Sequence, residues 1–205
     1  MAAYDVDLRA IELSRRDREY RGMQRLADEL LARVHADQTP HGHQVRSRVY
    51  YELHMAGFRQ WQDHLDRPRE LLDRSMELAY QSRDSAELAR DPLGMLHADM
   101  NISGLILPEI EMFESALTLS TQTLRDAEEI AEHAVDKFTK ERAQRVGMNC
   151  MIHQVRIHMR IGGDHDLVRE LWARAEENPV FQKLKAEGAA CIERDKQNVE
   201  RFLGG

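Results

Sequence analysis

None of the five prolines in this 205-residue chain interrupts an apolar helical pattern; each stands where one begins. Proline lacks the N–H that a helix interior needs, but the first turn leaves that donor unused, so proline there starts a helix instead of breaking it. Thr39-Pro40, Asp91-Pro92 and Asn178-Pro179 each have the form of an N-cap followed by a first-turn proline, and Pro68 and Pro108 head further apolar stripes. Gly162-Gly163-Asp164 and Val135-Asp136 add two breaks, after which a new pattern opens on an acidic residue suited to a helix N-terminus.

This punctuation predicts eight helices, over 5–37, 40–62, 66–90, 92–106, 108–134, 136–161, 165–177 and 179–203. Every connection is short, which makes consecutive helices antiparallel neighbours and builds hairpins. The stripes agree. Ile110, Phe113, Leu117, Ser120, Leu124 and Ala127 step by threes and fours along one face of the fifth helix, and small residues recur in such seams, where they let helix axes approach closely. The regular breaks exclude one continuous coiled-coil rod, whereas a compact bundle remains a second packing for the same helices. The expected class is all-α, as one domain over 1–205. In it 1–37 is an N-terminal helix or cap, 40–177 forms three helix pairs, and 179–205 is a C-terminal cap whose outer face is polar.

Charge and cysteine usage narrow the setting. A formal net charge of -7 gives no general attraction to nucleic-acid phosphates. Cys150 and Cys191 lie far apart, each on an apolar stripe, which points to a reduced, cytoplasmic protein. The charged N-terminal stretch has no apolar core of a secretion signal, and no apolar run is long enough for a membrane span, so neither destination is expected.

From Ile152 to Pro179 the chain resembles a tetratricopeptide repeat. Ile152, Val155 and Met159 stand at apolar positions of that family's first helix and Gly163-Asp164 at its turn. Trp172 and Ala175 occupy the large and small packing positions of its second helix, and Pro179 falls near its closing proline. Arg156 and Val168 depart from the pattern, and the other helix pairs share only its arrangement. The resemblance implies antiparallel hairpins stacked as a short superhelical array of about eight helices, with the first helix of each pair lining a concave groove. It also implies a non-catalytic binding module for a protein or peptide.

Ten histidines supply the one hint of where such a site would lie. Counting back twelve residues from the expected starts at Asp66, Glu109 and His165 reaches His54, His97 and His153, equivalent places on three successive first helices. With Asn101, Arg156 and Arg160 these are the candidate polar contacts of the groove, and the arginines suit an acidic or C-terminal peptide segment. Stacked repeats hold equivalent residues about 10 Å apart, too far for one metal ion. No metal site and no cofactor is therefore expected.

The residues carry no catalytic signature. His41 and His43 sit at a helix start without an acidic partner nearby, and Glu128, Glu129, Glu132 and His133 lack the spacing and the second set of a di-iron bundle. No phosphate-binding loop, nucleophile elbow or paired-cysteine zinc pattern is present. The reading from another class is a small-molecule or metal enzyme in a closed bundle with inward-facing histidines. A ligand-sensing regulatory domain is a third. A homo-oligomer is compatible with all of them.

Overall fold

A computed structural model of the chain describes residues 4–204. They are all-helical, with ten α-helices and no strand among them. In order these are α1 (Asp5–Arg16), α2 (Tyr20–Val34), α3 (Pro40–Asp63), α4 (Arg69–Leu88), α5 (Pro92–Asn101), α6 (Phe113–His133), α7 (Lys137–Arg160), α8 (His165–Glu177), α9 (Pro179–Ala186) and α10 (Ala190–Gly204). None is long and apolar enough to cross a membrane.

Local chemistry accounts for half of the starts. Thr39 Oγ1 accepts from the Gly42 N–H (3.2 Å), Asp91 Oδ1 from Gly94 (2.9 Å), Asp136 Oδ1 from Thr139 (2.8 Å), Asp164 Oδ1 from Asp166 (2.8 Å) and Asn178 Oδ1 from Val180 (2.9 Å). Each satisfies a first-turn donor that the helix itself leaves open. Pro40, Pro92 and Pro179 are the first residues of their helices, whereas Pro68 lies one residue before α4.

Ten helices replace the eight expected because two long stripes each fold back on themselves. A single helix over 5–37 would be about 50 Å long at 1.5 Å per residue. Instead it breaks at Asp17–Glu19, where Arg18 takes a left-handed φ of 62°, and α1 and α2 pair so that Leu8 and Ile11 bury with Met23, Ala27, Leu30 and Val34. The expected last helix likewise breaks between α9 and α10, at Gly188 with φ 69°.

The third difference is at Pro108, which does not begin α6. After α5 the chain makes a π-helical turn, Ile102–Ile106, then a 3-10 turn, Leu107–Ile110, and reverses through Glu111 at φ 60° before α6 starts at Phe113. The wider turn appears where Gly104 meets the imidazole of His153, an approach that no residue with a Cβ could make.

The chain divides into two compact units, Met1–Ala98 and Asp99–Gly205. In the first, α1 and α2 pack on α3, and α3 pairs along its length with α4. Polar groups close that seam reciprocally. Ser47 Oγ donates to the Ser82 carbonyl and Ser82 Oγ to that of Ser47 (2.9 Å each), and one heptad on Ser75 Oγ donates to the His54 carbonyl (3.1 Å). Small hydroxyl residues here bring the backbones close while each buried hydroxyl keeps a partner across the seam. In the second unit α7 is central. It pairs with α6, receives α8, α9 and α10, and is buried on nearly every side from Val146 to Ile157.

Candidate functional site

The six residues singled out in the sequence separate by environment. His54 is 1% exposed, enclosed between α3 and α4, where Nδ1 meets both the carbonyl (3.0 Å) and the hydroxyl (2.9 Å) of Ser75. A partner would reach it only if that helix pair opened. His97, half-buried on α5, stands edge-on to Tyr51 with ring centroids 6.2 Å apart.

Asn101, His153, Arg156 and Arg160 belong to the second unit. Asn101 is 2% exposed and its Nδ2 has no hydrogen-bond partner; His153 is 7% exposed, bonds the Met100 backbone and leaves Nδ1 unpartnered against Gly104. Gln154 Nε2 donates to Ser120 Oγ (3.2 Å), which in turn donates to the Cys150 carbonyl (3.3 Å).

Burial fixes the protonation of these groups. It lowers the His153 imidazole to about 3, with the nearby Arg156 charge acting in the same direction and the Met100 bond opposing them. Burial likewise lowers His54 to about 4 against its bond to Ser75, and pushes the Cys150 thiol up to about 12. Near neutral pH both imidazoles are therefore uncharged and the thiol is protonated, the state of packed core groups and not of poised acids or nucleophiles. Among the described residues no three His, Cys, Asp or Glu side chains gather where they could hold a metal ion.

The two arginines are already engaged within the second unit. Arg156 donates from Nε (3.1 Å) and Nη2 (2.6 Å) to both oxygens of Asp195 on α10. Arg160 pairs with Glu109 at 3.1 Å and lies over the Phe113 ring, 5.3 Å from its centroid.

Arg160 also borders the site that the geometry brings forward. A solvent-open trough of about 460 Å³ runs between the ends of α7 and α10, lined by Met159, Arg160, Asn198, Arg201 and Phe202. Met159 and Phe202 supply apolar walls, while Arg201 is exposed and has no ion-pair partner among the described residues. Both helices end here, and their terminal carbonyls carry about half a negative charge each; because Arg160 is paired with Glu109, the positive charge set against them is that of Arg201. Sequence reasoning missed Asn198 and Arg201 because α10 reads as a cap with a polar outer face. Gly188 was the available signal, since it frees α10 to lie against α7 at its own angle.

Compared with family models, curated proteins and solved structures, the chain gives no match.

Proposed function

We propose that this protein is a non-catalytic binding module for a protein or peptide, built of tetratricopeptide-like hairpins, and that it takes an acidic segment carrying a large apolar side chain. The trough between α7 and α10 carries the reading: it is apolar-walled, rimmed by Arg160 and Arg201, and open along its length. An open trough suits an extended chain better than a small molecule, which is usually enclosed over most of its surface. Arg201 has its full charge to offer a carboxylate, and Asn198 offers an amide to a backbone. His153, neutral and enclosed on α7, supports the packing on which such a surface rests.

A phage-displayed random peptide library panned against the wild type and the Arg201→Glu variant tests this. Enrichment of peptides that combine Asp or Glu with Phe, Leu or Met on the wild type, lost on the variant, is the expected result. No enrichment, or enrichment that survives both Arg201→Glu and Arg160→Glu, would remove the trough as the binding surface.

A further inference from the structure

The helix α10 is fastened to α7 by a contact that resembles ligand recognition. Arg156, whose side chain is 39% exposed, holds both carboxylate oxygens of Asp195, whose side chain is 7% exposed. This fork-to-carboxylate geometry is how arginine selects acidic groups on partners. As a stability device it is a poor choice, because an apolar pair of similar volume holds helices together equally well without desolvating two charges.

The rest of α10 follows the same logic. Ile192 and Val199 bury on the inner face, and Phe202 meets His165 with ring centroids 4.5 Å apart. With Asp195 they form the i, i+3, i+7, i+10 set by which amphipathic helices dock in grooves. The helix is joined to α9 through Gly188, the residue type with the widest backbone freedom, and its main contacts are with α7 and α9.

We infer that the face of α7 beneath α10 is a helix-binding site that α10 occupies in cis. The partner is an amphipathic helix with a carboxylate in the place of Asp195 and apolar side chains in the places of Ile192, Val199 and Phe202. Few buried apolar groups hold α10, which puts its release at the low end of local opening energies. This inference does not rest on the trough. Asn198, Arg201 and Phe202 would leave with α10, so a trough-bound segment favours the closed arrangement and a helical partner the open one.

The test uses the full chain and a fluorescein-labelled peptide of residues 190–204 (with Cys191→Ser), followed by fluorescence anisotropy. Asp195→Asn weakens the cis contact and leaves Arg156 in place, so it binds the peptide about tenfold tighter than the wild type, by enlarging the open fraction. The double variant Arg156→Ala/Asp195→Asn loses that gain. Hydrogen exchange on the wild type gives a second readout that needs no variant: α10 amides exchange through an opening that leaves α7 protected. Equal protection of α10 and α7 would overturn the inference, as would an Asp195→Asn protein with unchanged helical circular dichroism that binds the peptide no better than the wild type. Failure of the peptide-library selection leaves these outcomes unaffected, so the two readings fail separately.

Discussion

The imidazole of His153 occupies the space that a side chain at Gly104 would fill. A Cβ built on Gly104 would lie within 3.0 Å of Nδ1, closer than real Cβ atoms approach any neighbour. The π-helical turn Ile102–Ile106 and α7 are thus fitted to each other through one glycine and one histidine. Gly104→Ala is expected to lower stability by about 3 kcal/mol, the upper range of overpacking costs. In the double variant Gly104→Ala/His153→Ala the ring is gone and much of that loss returns, so the two effects are far from additive. Urea unfolding of the wild type, both single variants and the double variant measures the coupling; strict additivity would mean that the notch is not what the ring needs.

Stability falls with acid through two buried imidazoles. Their ordinary value is near 6.5, and burial lowers His54 to about 4 and His153 to about 3. Between those limits the unfolded chain binds protons that the folded chain refuses, so stability is full above about pH 6.5 and declines as pH drops toward the folded values. At about 1.4 kcal/mol per unit, each imidazole lowers stability by roughly 2 kcal/mol between pH 7 and pH 5. Chemical denaturation across that range measures the slope. His54→Gln and His153→Gln each flatten it, and subtraction from the wild type removes the carboxylates. A slope unchanged in both variants would contradict the assignment.

The two cysteines differ in access. Cys191 is exposed, while Cys150 is buried on α7 and held in its thiol form. A thiol-disulfide exchange reagent should titrate one cysteine rapidly in the native protein and the second only on unfolding, since the thiolate is the reactive species. Rapid native reaction of the Cys191→Ser variant would show that α7 is not packed as described.

Opposite substitutions should stabilise two helix positions. Gly22 lies inside α2 with nothing within 4 Å of a built Cβ, so Gly22→Ala is expected to add about 1 kcal/mol by restricting the unfolded chain. Arg90 is exposed just beyond α4 at φ 54°, a conformation that costs a residue with a Cβ about 1–2 kcal/mol. Arg90→Gly removes that strain and adds some unfolded-state entropy, leaving a gain of about 0.5 kcal/mol. Thermal melts of the two variants should both shift upward; a fall for Arg90→Gly would indicate that its side chain holds the turn.

Helix starts were legible in the sequence because capping is local. Thr39, Asp136, Asp164 and Asn178 each bond within two or three residues of themselves, so residue type and spacing state the outcome. The all-α class followed from the same proximity of cause and effect. Arg18 broke the first stripe without glycine or proline to mark it, because the reason lies in burying α1 against α2, a relation between residues distant along the chain. The candidate site divided in the same way. Histidines at equivalent spacing were visible, but the enclosure of His54 depends on Ser75, and the occupation of Arg156 on Asp195, 39 residues away. Sequence alone determined the all-α class and the starts of α3, α5, α7, α8 and α9, where a cap or a first-turn proline acts locally. Only the tertiary structure decided which polar groups are spent inside and which, like Arg201, remain outside, because burial and charge pairing are set by what the other helices bring to each side chain.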